Sequence, residues 1–202
     1  MIIERESSKE PLIYGNARWK VTTAPSVEPV TVPELKLFAR IDHDDEDTIL
    51  DNFIKAAREA TEIYLRKALI TQTITLYLDE WHSSSLELPR PPLLSVTSIS
   101  LLDESGTETT YSSDNYYIDT SEDFGRIIIK QNATPPYNSD RYHAGYKIVY
   151  TAGYGQAASD VPESIRQCIM LWATSIYENR AFTKDPPPEA VEMLSRYRAV
   201  ML

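Results

Sequence analysis

Two spacings of apolar residues alternate along this chain and divide it into helical and extended blocks. From Asp160 to about Asn179, apolar side chains recur at Ile165, Cys168, Ile169, Trp172 and Ile176, one stripe of an amphipathic helix. Asp160 is placed to cap it, Pro162 falls in a first turn where a missing N–H costs nothing, and Glu163 stands three residues after the cap. The same order, Thr31-Val32-Pro33-Glu34, opens a short helix through Leu35, Phe38 and Ala39 to about Arg40. A longer helix is expected from about Asp45 to Ala68. Its buried face would hold Ile49, Phe53, Ala56, Ala57, Ala60 and Tyr64, with Arg66 and Lys67 at its C-terminal end.

From Thr71 the period falls to two: Ile74, Leu76 and Leu78 point one way, Thr73, Thr75 and Tyr77 the other. Further strands are expected at residues 86–88, 96–103, 108–111, 116–119, 126–129 and 146–150, separated by turn signals. Leu101-Leu102-Asp103-Glu104-Ser105-Gly106-Thr107-Glu108-Thr109 has the grammar of a hairpin. Short strands joined by tight turns imply antiparallel pairing. Residues 18–30 look extended, and residues 1–17 are unpatterned and polar, expected to form an arm. Near the other end Pro186-Pro187-Pro188 makes a stiff spacer before a last amphipathic helix at about 189–200, which either folds back on the body or docks on another chain.

The fold class read from this pattern is α+β: a small helical bundle with an inserted antiparallel β region. Residues 1–30 form an extended arm, 31–70 and 160–182 the helical body, 71–151 the β insertion, and 183–202 the spacer and tail. A chain of 202 residues with 42% hydrophobic and 25% charged residues is long enough and mixed enough for a true core. Its net charge of −10 argues against a clamp on nucleic acid, which needs cations to neutralise phosphates. A passage lined by acid, which DNA slides through without sticking, is compatible with that charge, as is an ordinary soluble surface. No apolar run reaches the roughly 20 residues that span a bilayer, and no signal-peptide pattern is present, so the chain is expected to work in solution without a membrane.

Candidate chemistry is sparse. The lone cysteine, Cys168, lies on an apolar stripe and reads as core. His43, His82 and His143 sit in separate loops without a second ligand three or four residues away. The acids Asp44, Asp45, Glu46 and Asp47 lack the glycine and distal glutamate of a calcium loop and suit the positive end of a helix. Gly153-Tyr154-Gly155 follows a strand, but the third glycine of a phosphate loop is missing and acids hold the helix start. No catalytic residue, cofactor or metal is expected. Tyr14, Trp19, Trp81, Tyr116 and Tyr117 leave one alternative open, a stand-alone β module that binds carbohydrate or peptide.

Several segments, taken in order, resemble the head–tail connector (adaptor, or head-completion) proteins of tailed bacteriophages. They are Glu28-Pro29-Val30-Thr31-Val32-Pro33-Glu34 with the acidic helix start after it, then Trp81 with Leu88-Pro89-Arg90-Pro91-Pro92-Leu93, and Tyr116-Tyr117-Ile118-Asp119 with Gly125-Arg126-Ile127. Tyr150 to Gly155, Asp160 to Gln167, Tyr177-Glu178-Asn179-Arg180 and the prolines before Ala190 complete the series. The resemblance implies a structural virion protein at the head–tail junction, made in the bacterial host cytoplasm. It would be a subunit of a ring, commonly twelve-fold, that docks under the portal protein, meets a tail or stopper protein and lets DNA pass without specific binding. The tail then becomes the expected portal contact, through Val191, Met193, Leu194, Tyr197, Arg198 and Leu202. Trp19, Tyr137, Arg141 and Tyr142 are the expected contacts to neighbouring copies or to the tail.

Overall fold

The computed structural model describes residues 17–122, 124–136, 139, 141–183 and 185–199. Strand β1 (Arg18–Thr23) leads into helices α1 (Val32–Ala39) and α2 (Asp47–Leu65). Seven strands follow: β2 (Gln72–Leu78), β3 (Ser85–Glu87), β4 (Leu93–Leu102), β5 (Glu108–Thr110), β6 (Tyr116–Asp119), β7 (Arg126–Ile129) and β8 (Tyr146–Ala152). Helices α3 (Glu163–Asn179) and α4 (Pro188–Ser195) close the chain.

The α+β class holds, with the β region forming two antiparallel sheets. One has five strands in the order β1-β2-β8-β4-β5, the other three in the order β3-β7-β6. The extended stretch after residue 17 is therefore an edge strand. β2 and β8 alternate as a sheet with one covered face must: Ile74, Leu76, Leu78, Tyr146, Ile148 and Tyr150 all lie inside. Leu86, Ile127, Ile129 and Tyr116 of the smaller sheet join that core, with Trp81 against Tyr146. A second core lies among the helices, where Leu35, Leu50, Ile54, Leu65, Ile165, Ile169 and Trp172 meet.

Local signals explain most helix ends. Thr31 caps α1 through a full capping box: its hydroxyl accepts from the Glu34 N–H at 3.4 Å, and the Glu34 carboxylate accepts from the Thr31 N–H at 2.8 Å. Arg40, Arg66 and Arg180 each end a helix in the left-handed conformation. That stop shortens α2 to Leu65, because the Arg66 and Lys67 N–H groups turn back to Glu62 O while the Ala68 N–H goes to Pro91 O.

Three expectations are corrected. The buried stripe of α2 runs through Leu50, Ile54, Ala57, Thr61 and Leu65, and Ile49 faces outward, with Phe53 and Tyr64 at the margin of the core. Asp160 does not cap α3. It closes a short 3-10 turn (Ala158–Asp160) by accepting the Ala157 N–H at 2.8 Å, and Pro162 is the residue that precedes the helix. The last helix ends at Ser195, five residues before the expected Val200.

Candidate assembly surfaces and the frame that holds them

The segment Leu88–Leu93 binds the helical body to the sheets by using carbonyls whose own residues lack an N–H. Pro89 O accepts the Tyr150 hydroxyl at 2.6 Å, Pro91 O accepts Ala68 N–H at 3.0 Å, and Pro92 O accepts Gly153 N–H at 2.9 Å. Between these prolines Arg90, with φ of 64°, sends its guanidinium to Glu62 Oε2 at 3.0 Å and lies 4.9 Å from the Trp19 ring centre. Glu62 is only 3% exposed, and its carboxylate also accepts from Arg58, the Leu69 N–H and Gln72. Arg58 in turn donates to Glu28 at 2.7 Å. Burial opposes the charge on Arg58, but Glu62 and Glu28 outweigh it and hold its pKa above the ordinary guanidinium value. Burial likewise pushes the Glu28 carboxyl up, against the pull of Arg58. This network ties α2 to β2, to the proline segment and, through Trp19, to β1. Nothing in the sequence pattern announced it, since Arg58 and Glu62 fall outside the apolar stripe expected for α2.

The glycine pair is structural. Gly153 has φ of 137°, and a Cβ there would lie 2.6 Å from the backbone of Ile70 and Thr71. A Cβ on Gly155 would fall on the Asp160 carboxylate. Both glycines thus allow the β8–α3 loop to press against the α2–β2 connection, and no anion cradle results.

Reactive groups lie apart from one another. Cys168 is buried beneath Ala190, and burial pushes its thiol up to about 11. The buried Tyr150 phenol is pushed up for the same reason. His43, His82 and His143 lie near Glu46, Glu80 and Asp79 respectively, and no group of metal-ligating side chains occurs among the described residues. An open groove of about 610 Å³ runs between α3 and the proline spacer, lined by Leu171, Thr174, Glu178, Asp185 and Glu189 among others. Among the described residues its lining has carboxylates and hydroxyls but no histidine, cysteine or lysine. Trp81 and Tyr116, candidates for a sugar platform, are core residues, and Tyr14 lies outside the described residues.

The residues expected to meet partners fall in two regions. In the tail, Leu194 and Ala190 are fully buried against α3, Met193 and Tyr197 lie against the helical core, and Ala199 N–H reaches Leu65 O at 2.9 Å. Val191 and Arg198 are the exposed members, Arg198 over the Tyr64 ring, and Leu202 lies outside the described residues. The tail therefore folds back on the body. In the β region Tyr142 is 89% exposed and Arg141 is partly covered, Tyr137 lies outside the described residues, and Trp19 is half-buried under Arg90. Tyr117, one of the aromatics named for a carbohydrate or peptide surface, is exposed on β6; exposed but not singled out from sequence as such were Leu37 and Phe38 at the end of α1 and Ile118 on β6. Their apolar character was legible, but their outward direction depends on which side of α1 and β6 the cores occupy.

A buried ion network thus joins the two cores, and exposed apolar side chains lie on α1 and β6. The family model for head completion protein matches residues 28–200. This chain belongs to the head completion protein family. Solved structures agree. A chain in the neck of an empty GTA particle, computed with C6 symmetry, is 25% identical with a TM-score of 0.79, over 92% of this chain and 97% of that one. A chain in the virion of a native gene transfer agent (GTA) particle is 26% identical with a TM-score of 0.78, over 91% and 96%. A third, in the neck of the native GTA particle computed with C12 symmetry, is 25% identical with a TM-score of 0.71, over 91% and 97%. No curated protein matches. As a head completion protein, the chain is a structural subunit of the head–tail connector.

Proposed function

We propose that this head completion protein works as one subunit of a ring at the head–tail junction, docked under the portal and continued on its far side by a tail or stopper protein. The observation that carries this reading is the family match over residues 28–200 together with near-complete coverage of neck chains computed with C6 and C12 symmetry. The ring leaves an opening through which DNA passes without specific binding, consistent with the net charge of −10. Its work is positional, with no bond made or broken. Rigid wedges suit that work, and the buried Glu62 network supplies rigidity at the joint between helices and sheets.

In this reading the tail meets the portal through the residues it leaves exposed, Val191 and Arg198, with Leu202 beyond them. Met193, Leu194 and Tyr197 then set the tail's position from inside. The segment around Tyr142, with Tyr137, Arg141 and Trp19, serves contacts to neighbouring copies or to the tail. Val191→Asp combined with Arg198→Glu, both outside the core, is expected to reduce binding to portal-bearing heads at least ten-fold without lowering the subunit's melting temperature. Unchanged binding would contradict the tail assignment. Deleting the gene should yield DNA-filled heads without tails, restored by the wild-type chain supplied in trans. Normal tailed, infectious particles from the deletion would contradict the whole reading.

A further inference from the structure

The five-stranded sheet has two open ends on opposite sides. Among the described residues β1 pairs only with β2, and β5 only with β4, so each presents an outer row of backbone N–H and C=O groups with no partner strand there. Every residue of β5 is exposed, and in β1 only Trp19 is partly covered. Open strands of this kind readily template a further strand.

The two edges differ in charge. β1 carries Arg18 and Lys20 and no acid, whereas the β4–β5 turn and β5 carry Asp103, Glu104 and Glu108 and no cation. Some of this charge is met within the subunit: Arg18 pairs with Asp79 at 2.7 Å and Glu108 with Lys147 at 2.6 Å. Lys20, over the Tyr77 ring, and Glu104 have no ion-pair partner among the described residues. Pairing β1 with β1 of another copy would bring cations together, and pairing β5 with β5 would bring acids together; only β1 with β5 is attractive. A contact between two different patches on opposite sides of a subunit is the heterologous kind, and cyclic rings are built from it.

We propose that β1 of one copy adds to the β5 edge of its neighbour, joining the five-stranded sheets head to tail around the ring. This rests on the ring reading above. Lys20 then has two roles: it repels like edges in the free subunit and selects the acidic edge in the assembly. Three exposed residues of β5 give a short ladder, so single contacts are weak and only the closed ring is stable.

The test uses the full chain in assembled particles. Thr22→Cys, on exposed β1 with Lys20 left in place, and Thr109→Cys are introduced together and treated with a short flexible bis-maleimide, which tolerates a register offset of a residue or two. The native Cys168 is buried and stays silent. A ladder of covalent multimers on a denaturing gel is expected from the double variant and from neither single variant. Rings seen by microscopy without a ladder would overturn the edge pairing and leave the ring reading intact. Particles that contain the chain but no ring would overturn both. A charge test is independent of cross-linking geometry: Lys20→Glu should lower incorporation several-fold, and adding Glu104→Lys should restore it. Loss with no recovery would count against the pairing.

Discussion

Removing the Glu62 carboxylate leaves Arg58 and Arg90 buried without their shared counter-charge and strips acceptors from the Leu69 N–H and Gln72. Glu62→Ala is therefore expected to cost about 3–5 kcal/mol in a urea titration, the usual loss when one member of a buried ion network is deleted. An exposed acid such as Glu59 replaced by Ala should move the midpoint little. Thr31→Ala removes the α1 cap and should cost about 1 kcal/mol. Glu34 gives a pH signature. Burial opposes its ionisation, but hydrogen bonds from the Thr31 N–H and hydroxyl and from Arg166 outweigh it and hold its carboxyl below the usual carboxylate range. A lowered folded value means the stabilisation is complete above the ordinary glutamate value of about 4.3 and is lost as pH falls through the folded value. Acid titrations of wild type and Glu34→Gln should converge at the low end, with wild type the more stable above it. A gap that widened on acidification would contradict the assignment.

At the scale of elements, α4 decides how the tail behaves. Leu194 and Ala190 are buried against α3, and the Cys168 thiol lies beneath Ala190 O at 3.8 Å. Leu194→Ala should cost about 2–5 kcal/mol through the cavity it leaves. Because burial pushes the Cys168 thiol up to about 11, labelling by a thiol reagent at neutral pH should be slow in the wild type and faster in Leu194→Ala. Equal rates would mean that α4 does not shield α3.

Elements also show what was readable in the chain and what was not. The capping box at Thr31, the alternation through Ile74, Leu76 and Leu78, and the hairpin turn at Gly106 depend on neighbours in sequence, and each lies where its local pattern put it. The face of α2 does not. Ile49 and Leu50, like Phe53 and Ile54, offer two adjacent stripes of similar hydrophobicity, and α3 chooses between them. Asp160 had the grammar of a cap, but the close approach of Gly155 turns its carboxylate to the preceding loop. The Glu62 network joins residues far apart in sequence, so its members looked like ordinary surface charge. The partner-facing residues follow the same rule: Tyr142 was legible as an exposed loop aromatic, whereas Leu194 fitted both a docking helix and a core helix until the body beneath it was known.

For the whole molecule, two cores are joined by a buried ion network and a proline segment, and in the proposed reading the margins of that frame, more than any pocket, serve assembly. Family membership accounts for that economy: a connector subunit is selected for the relative placement of its surfaces. The most direct test is a cryo-electron microscopy reconstruction of the particle that encodes this chain, computed without imposed symmetry around the neck. The account predicts a ring of copies of this fold between portal and tail, with DNA or an open channel on its axis. Density for this chain elsewhere in the particle, or a complete neck lacking it, would contradict the account.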